Sequence, residues 1–360
     1  MDDQSARVLL SLIGEVSLAP RREVTKRAGR RASGELFAAP WGARPDSGMC
    51  VLASGSAGNC GAVWIGENER EDAEAMWAGA PVRERLVLID LGLSPGVTRK
   101  RLHAQGLSLD LVGSVLLTHL DRDHCHEGWC GERSLLPAGC EVFVPQRSRD
   151  RARAMNLNAG VFHAFESAFR TRAGLEAVPI MLSHDQHGAA AFRLTLARER
   201  AWARRRNLGN AGTGIGYATD LGRATPELIA HLRRVAILAI ESNYCPTLQS
   251  VSDRPEFLKR RIMGGRGHLS NQECVEAIHA IEPRDHVVLL HLSRECNCPL
   301  LVASLHDGAD YAMTISAQEE ATRWVRLVPP ALPASNSTLH PPRTHNLPHH
   351  TTGPSIAPTC

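Results

Sequence analysis

Short apolar runs rich in β-branched residues alternate along this chain with segments whose apolar residues recur at helical spacing. Apolar runs bounded by glycine-containing or polar turns are typical of strands buried in a sheet. We predict ten strands, at Cys50–Ala53, Ala62–Ile65, Leu86–Asp90, Ser114–Thr118, Glu141–Val144, Val178–Leu182, Ala190–Leu196, Ile215–Ala218, Val235–Ile240 and Val287–Leu290.

Helical periodicity predicts four helices between these strands, at Pro95–Ala104, Pro226–Arg234, Asn271–Ile281 and Pro299–Leu305. The third of them has Asn271 at its predicted N-cap and Glu273 in its first turn. Many strands with interspersed helices indicate sheets that pack on each other and are covered by helices outside. The predicted fold class is therefore a layered α/β sandwich.

The two ends of the chain differ from this middle part. Residues 1–48 contain paired arginines, prolines and glycines, with one short predicted helix at Ala6–Val16. Residues 329–360 are rich in Pro, Ser, Thr and His and are predicted to be disordered. We predict one folded domain over residues 49–328. Because Met49 directly precedes the first strand, residues 1–48 are either an extension or a mis-assigned start, which the intact mass of the native protein would distinguish.

Composition narrows the class of protein. A hydrophobic content of 43% and a charged content of 22% are those of a globular chain. The formal net charge of +3 permits nucleic acid as a partner without requiring it. The sequence lacks the roughly 18-residue apolar run of a membrane span and the pattern of a signal peptide. The ten cysteines are irregularly spaced, and most of them are interpreted as reduced thiols. We therefore predict a cytoplasmic protein that makes no membrane contact.

Candidate metal ligands follow directly after one predicted strand. His119, Asp121, Asp123 and His124 come within six residues of Thr118. Imidazole and carboxylate ligands suit Zn, Mn or Fe. Further candidates come after other strands, namely His184, Asp220 and His291. If these strand ends meet at one edge of the sandwich, their side chains can hold two metal ions about 3.5–4 Å apart.

The order of these residues resembles the metallo-β-lactamase fold, whose signature is His-x-His-x-Asp-His followed by a distant His, Asp and His. Four further segments are similar to the YycJ-like branch of that superfamily: Ser54–Asn59, Glu241–Tyr244, Gly267–Asn271 and His291–Asn297. The resemblance covers about residues 49–305. It implies a single-domain αββα sandwich and 5′-to-3′ exonuclease activity on DNA.

The resemblance also implies roles for individual residues. It assigns His119 and His184 to a first metal and Asp220 to a bridge between two ions. It assigns Asp123, His124 and His291 to the second metal. Asp123 would in addition orient the attacking water. His268 would protonate the leaving oxygen or contact a phosphate. A purely structural position, next to the N-cap of a helix, explains this histidine equally well. The implied substrate contacts are Ser54, Ser56, Asn59, Asn243, His268, Ser270 and Asn297.

Asp121 departs from the signature, because it stands where the second histidine is expected. A carboxylate is a harder donor than imidazole and adds negative charge to the first site. Two outcomes follow from the substitution. The expected cofactors are two divalent ions, Zn or Mn with Fe as a third option. Asp121 either shifts this two-metal site towards Mn or Fe, or it weakens the first site so that one ion is held tightly.

Three functions remain open on the sequence. The leading hypothesis is hydrolysis of phosphodiester bonds, with nucleic acid as substrate. Arg99–Arg101, Arg204–Arg206 and Lys259–Arg261 are candidate phosphate contacts, and Trp129 and Tyr244 are candidate stacking residues, but surface solvation and core packing explain them as well. The second hypothesis is hydrolysis of a small ester, lactone or thioester by the same metal centre. The third is a metal-binding or scaffolding protein with a degenerate site.

Overall fold

The computed structural model describes residues 46–66, 85–131, 134–157, 161–184, 188–197, 199–200, 203 and 213–328. The predicted helix at Ala6–Val16, the arginine run at Arg204–Arg206 and the Pro- and His-rich tail lie outside the described residues. The predicted domain boundaries at residues 48 and 329 therefore stay predictions.

The described residues form two mixed seven-stranded sheets. The first sheet has the order β14-β1-β2-β3-β4-β5-β6, with β1 Gly48–Ala53, β2 Cys60–Trp64, β3 Leu86–Ile89, β4 Val112–Leu116, β5 Glu141–Pro145, β6 Val161–Phe165 and β14 Val325–Arg326. The second has the order β13-β12-β11-β10-β9-β8-β7, with β7 Phe169–Arg170, β8 Glu176–Leu182, β9 Ala189–Thr195, β10 Ile215–Ala218, β11 Ile237–Glu241, β12 His286–Leu290 and β13 Ala312–Ile315. Strands β3 to β6 pair in parallel, as do β10 to β13.

Seven α-helices lie in the described part of the chain: α1 Pro95–Ala104, α2 Arg149–Ala154, α3 Pro226–Leu232, α4 Pro246–Val251, α5 Glu256–Arg261, α6 Asn271–Ile281 and α7 Pro299–Leu305. Three of the four predicted helices have the predicted bounds, and α3 ends two residues early. The predicted cap of α6 is wrong, because Ser270 rather than Asn271 accepts the hydrogen bond from the Glu273 amide. The Glu273 carboxylate in turn accepts from the Ser270 amide, which completes a capping box.

Three apolar layers hold the elements together. Between the sheets, β-branched and aromatic side chains such as Val51, Ile89 and Phe192 are fully buried against one another. Leu102 of α1 packs on the outer face of the first sheet, and Ile278 of α6 on the outer face of the second. Helices thus cover both sheets, which confirms the predicted αββα sandwich.

Every predicted strand exists, with shifts of up to two residues at its ends, but four strands were not predicted. These are β6, β7, β13 and β14. Strands β7 and β14 have two residues each, and most of β6 and β13 is only half-buried. Short or half-buried strands at the sheet margins lack the continuous apolar run on which the prediction rests. None of the described helices is long and apolar enough to cross a membrane.

Candidate metal centre

Polar residues lie at the carboxyl ends of the parallel strands. Asp90 follows β3, Asp220 comes two residues after β10, and His291 follows β12. All three have a left-handed backbone, with φ of 64°, 55° and 56° respectively. This conformation costs a residue other than glycine roughly 1–2 kcal/mol and is often retained at functional sites. The same backbone turn therefore directs three strand ends into one place.

Three compact groups of candidate ligands form there, and two of them consist entirely of predicted ligands. The first group consists of His119, His184 and Asp220, and the second group consists of Asp123, His124 and His291. Within each group, one ligand atom of every residue lies within 4.8 Å of the others. The structure thus brings together six of the seven predicted metal ligands in the two sets implied by the resemblance.

Asp220 lies between the groups. Its Oδ2 is 3.0 Å from Nε2 of His124 in the second group, and its Oδ1 is 3.9 Å from Nε2 of His184 in the first. Asp123 Oδ2 lies 3.5 Å from Nε2 of both His124 and His291. Donors at about 2.1 Å from a tetrahedral ion are roughly 3.4 Å apart, so this spacing fits bound ions.

The Nε2 atom of His291 gives a separate test of the fit. It is buried, and the Asp123 Oδ2 atom 3.5 Å away lies outside hydrogen-bond geometry, as do the other described residues. A buried polar atom without a partner is costly unless something else satisfies it. A metal ion beside Asp123 and His124 would do so, and the donor chemistry of the group suits Zn, Mn or Fe.

A buried carboxylate orients His124. Nδ1 of this imidazole lies 2.7 Å from Oδ2 of Asp90, and both side chains are inaccessible to solvent. Asp90 also accepts hydrogen bonds from the amide and hydroxyl of Thr118. With Nδ1–H donated to Asp90, His124 presents Nε2 as the ligand atom, as in carboxylate–histidine–metal arrangements.

Glu241 plays the corresponding part for His291 and is fully buried. Its Oε2 lies 3.1 Å from Nδ1 of His291 and 3.0 Å from Nδ1 of His268. It also accepts the backbone amides of Asp220 and Leu269. One carboxylate therefore ties together two strand ends and the loop that carries His268.

Sequence reasoning did not identify Asp90 or Glu241 as site residues. The apolar pattern assigns Asp90 to a predicted strand, and Glu241 belongs to the Glu241–Tyr244 segment without a predicted role of its own. A signal was present, because both carboxylates stand at the carboxyl ends of apolar strands, as the predicted ligands do.

The electrostatics of the centre favour a bound cation. Burial disfavours the charged form of His291, but the carboxylates of Asp220, Asp123 and Glu241 together raise its pKa to about 10. Burial also opposes ionisation of Asp220, yet positive charge on His291 and His124 holds its pKa well below the usual range. Protons and metal ions compete for such a site, because a ligating imidazole must be neutral.

Asp121 lies outside both ligand groups. Its Oδ1 accepts a hydrogen bond from Nη1 of Arg151 at 3.0 Å, and its Oδ2 is 3.9 Å from Nε2 of His119. The Asp121 side chain is 36% exposed, and such ion pairs contribute about 0–1 kcal/mol. Burial, together with the charge on His124, lowers the pKa of His119 to about 3, so this imidazole is already neutral.

The Gly-rich turn at Ser54–Asn59 packs against the ligand loop. Ser54 Oγ donates to Oδ1 of Asn59 and accepts from the amide of His291. The Asn59 side chain reaches Nε2 of His124 at 3.0 Å, and the Asn59 amide donates to the carbonyl of Asp123. Ser54 and Asn59 are buried, so their predicted contact with substrate stays a prediction.

Gly92 shows how closely these segments approach. A Cβ atom at this position would lie 1.8 Å from the Asp123 carbonyl oxygen and 2.4 Å from the Asn59 amide nitrogen. Only glycine fits, so the loop that carries Asp123 is fixed against the segment after β3.

Three further predicted substrate contacts also bond within the protein. Asn243 Nδ2 donates to the carbonyl of His291, and Asn297 Nδ2 donates to the carbonyls of Ser242 and Asn243. Ser270 is the cap of α6. All three are buried, whereas Ser56 and His268 line the cavity described next.

A cavity of about 820 Å³ opens over the two groups. Its floor is formed by the candidate ligands and His268, and one wall by the segment from Ser252 to Ile262. The two predicted stacking residues are not in this wall. Trp129 is fully buried and donates its Nε1–H to the Leu93 carbonyl, and Tyr244 is buried in an apolar cluster. The prediction that these rings stack on a base is therefore wrong.

Comparison with known proteins agrees with this geometry. The profile of the beta-lactamase superfamily domain matches residues 85–292. The exodeoxyribonuclease YycJ of Bacillus anthracis is 23% identical over 253 residues, which cover 69% of this chain and 83% of that protein. The metallo-beta-lactamase fold protein YhfI from Bacillus subtilis superposes with a TM-score of 0.51 at 11% identity, covering 77% of this chain and 99% of that one.

Proposed function

Since this chain belongs to the beta-lactamase superfamily, we propose that it is a hydrolase that uses two divalent metal ions to cleave phosphodiester bonds in nucleic acid. The observation that carries the proposal is the pair of ligand groups beneath one cavity, with Asp220 of the first group 3.0 Å from His124 of the second. The similarity to an exodeoxyribonuclease supports nucleic acid as substrate class and 5′-to-3′ exonuclease action as the activity. The cytoplasmic location stays a prediction.

We assign the first ion to His119 and His184 and the second ion to Asp123, His124 and His291. Asp220 would contact both ions. Zn and Mn are the expected metals, with Fe as a third option. When bound, such ions make water nucleophilic at neutral pH and offset the charge that develops on a phosphate.

Asp123 is the proposed residue that orients the attacking water. Its side chain is 28% exposed and lines the cavity, while its Oδ2 stays within 3.5 Å of two imidazoles. A carboxylate held in this way has one face towards the ligands and another towards substrate. It can accept a proton as the water attacks phosphorus.

His268 is the proposed general acid. Its Nδ1 is tied to Glu241, and its side chain is 21% exposed at the cavity floor. The contact with the buried carboxylate fixes the orientation of the ring, and in this proposal the other ring nitrogen donates the proton to the leaving oxygen. Ser56, which is exposed at the cavity edge, is the proposed direct substrate contact among the residues of the Gly-rich turn.

Ser54, Asn59, Asn243, Ser270 and Asn297, which the resemblance implies as substrate contacts, act in this proposal as positioning residues as well. Their hydrogen bonds hold the main chain around His291 and His124 or the start of α6.

The test is an activity screen with the full chain loaded with Zn or Mn. Turnover of a chromogenic phosphodiester that exceeds turnover of lactone and thioester panels supports the proposal. The reverse preference would instead establish the small-molecule hydrolase. Loss of metal-dependent turnover of every substrate, in a folded and metal-loaded protein, would establish the degenerate site. Single-stranded and duplex DNA labelled at the 5′ end then reports strand preference and polarity.

A further inference from the structure

A basic segment forms one wall of the cavity. We call residues Pro246–Arg266 the basic arm; it comprises α4, α5 and the wide turn Ile262–Arg266. It contains five basic and two acidic residues, a net charge of +3 that equals the formal net charge of the whole chain. The arm connects Glu241 to His268, so it is joined at both ends to the candidate metal centre.

The inner face of the arm is anchored on the protein. Leu248, Leu258 and Ile262 pack in one apolar cluster with Tyr244 and Leu301. Leu258 and Ile262 are four residues apart and hence on the same helix face. The opposite face of α5 is consequently directed away from the core.

That outer face carries an exposed aromatic ring and two exposed arginines. Phe257 is 69% exposed, more than any other large hydrophobic residue in the described chain. Arg260 and Arg261, three and four residues further on, share its face and are also exposed. Arg261 lines the cavity. The exposed ring therefore lies beside a basic path that leads to the ligand groups.

Arg254 continues this path inside the cavity. Its Nε donates to Glu295, one Nη to the Gln249 side chain and the other to the Ser293 hydroxyl. These bonds fix the guanidinium plane, and an arginine has five N–H donors in all. A fixed planar donor suits the recognition of phosphate oxygens.

We propose that the basic arm binds single-stranded nucleic acid, with Phe257 stacked on an unpaired base and Arg260 and Arg261 on the adjacent phosphates. The strand then passes Arg254 to reach the ligand groups. An exposed ring among arginines is the combination that single-strand binders use, since every base has a π-face and every linkage a charge. In a duplex the base faces are already covered by neighbouring bases. The inference rests on the proposed function, because it supplies the substrate to that site.

Binding is measured by fluorescence anisotropy with the metal-loaded full chain and a labelled phosphorothioate oligonucleotide, which resists hydrolysis. We expect Phe257→Ala to weaken single-strand binding about tenfold and Phe257→Trp to retain it. Leu300→Ala is the matched control, because Leu300 is 53% exposed on α7 and is not a lining residue of the cavity. It should bind as the unaltered chain does. Thermal unfolding of each variant reports folding, and Phe257→Leu replaces the alanine variant if that one unfolds.

Salt dependence tests the two arginines. Removing one phosphate contact on a single strand lowers the slope of log Kd against log salt concentration by about 0.7. We therefore expect Arg260→Gln and Arg261→Gln each to lower the slope by about this amount. Binding of DNA and RNA oligonucleotides is compared. Tighter binding of either one supports the inference and shows whether the natural strand contains deoxyribose or ribose.

Unchanged single-strand affinity in Phe257→Ala would overturn the inference, as would duplex binding at least as tight as single-strand binding. If Phe257→Ala loses binding to vesicles of phosphatidylglycerol and phosphatidylcholine but keeps its oligonucleotide binding, the inference is overturned in favour of a membrane contact. The proposed function fails on a different measurement, namely absence of phosphodiester turnover by the unaltered chain.

Discussion

The two ligand groups meet at Asp220 but differ in how the protein supports them. In the second group, Nδ1 of His124 and Nδ1 of His291 are each held by a fully buried carboxylate. In the first group, Nδ1 of His119 lies 3.0 Å from the hydroxyl of Thr118, and the adjacent Asp121 is ion-paired at the surface. A carboxylate partner fixes an imidazole and increases its basicity. We expect the second group to hold its ion more tightly, because of its supporting residues rather than its number of ligands.

The largest effect should come from removing a ligand of the second group. Because a metal ion contributes several kcal/mol to stabilising the transition state, we expect His124→Ala to lower phosphodiester turnover about a thousandfold or more. It should also lose the more tightly bound ion. His119→Ala is the paired variant and should keep one ion after dialysis. Equal loss of metal from both variants, measured by elemental analysis, would contradict the comparison.

The supporting carboxylates can be tested without changing a ligand. Loss of such a partner commonly lowers metal affinity by about 10- to 100-fold, which is the effect we expect for Asp90→Asn and for Glu241→Gln. Competition with a chromogenic chelator measures the affinity. Glu141→Gln is a suitable control, because Glu141 is likewise a hydrogen-bonded carboxylate, although half-buried, and lies at the start of β5 away from the ligand groups. If all three variants lose affinity equally, general destabilisation accounts for the result.

Asp121 offers a smaller test of the first group. Replacing it with histidine restores the signature and should raise Zn affinity at the weaker site several-fold, since imidazole is a softer donor than carboxylate. Arg151→Gln should have a lesser effect, because its ion pair with Asp121 is largely exposed. The stoichiometry and metal preference of the purified proteins report the change. Identical values in Asp121→His and the unaltered chain would remove Asp121 from the metal's ligands.

The smallest effect is on the pH dependence of folding stability. Acid also displaces metal from the site, so the test uses a histidine outside the ligand groups. Burial lowers the pKa of His286 on β12 to about 4, while its ordinary value applies in the unfolded chain. Below about pH 6.5 the unfolded state binds a proton that the folded state does not, so stability falls as the pH drops towards 4. We expect His286→Gln to lose about 1 kcal/mol less than the unaltered chain between pH 7.5 and about pH 5.8, measured by urea unfolding. An identical loss in both proteins would show that the acid sensitivity arises elsewhere.

Sequence reasoning predicted the ligand groups better than their support. His184, Asp220 and His291 were predicted because each follows an apolar strand, and strand ends meet at a sheet edge. Asp90 and Glu241 satisfy the same rule, but a carboxylate at a strand end is equally compatible with a solvated edge. Only packing between the two sheets decides that both are buried.

The arm illustrates a second limit. Phe257, Leu258 and Ile262 are apolar neighbours, and the pattern in a six-residue helix does not identify which of them faces solvent. The cluster around Leu301 decides it by packing Leu258 and Ile262. The Gly-rich turn was likewise expected to approach substrate, and its position against the Asp123 loop depends on contacts between segments distant in sequence.

The left-handed backbone at Asp90, Asp220 and His291 has a consequence for how this protein can change over time. Glycine would adopt this backbone conformation at a lower energy at each position. Each residue also places a polar group where an apolar side chain would otherwise fill the interior. The fold is therefore in conflict with its own site, as expected of a trade-off between stability and activity. Selection for robustness alone would erode these three residues first, so their retention in a stable variant is a sign that the chemistry is still in use.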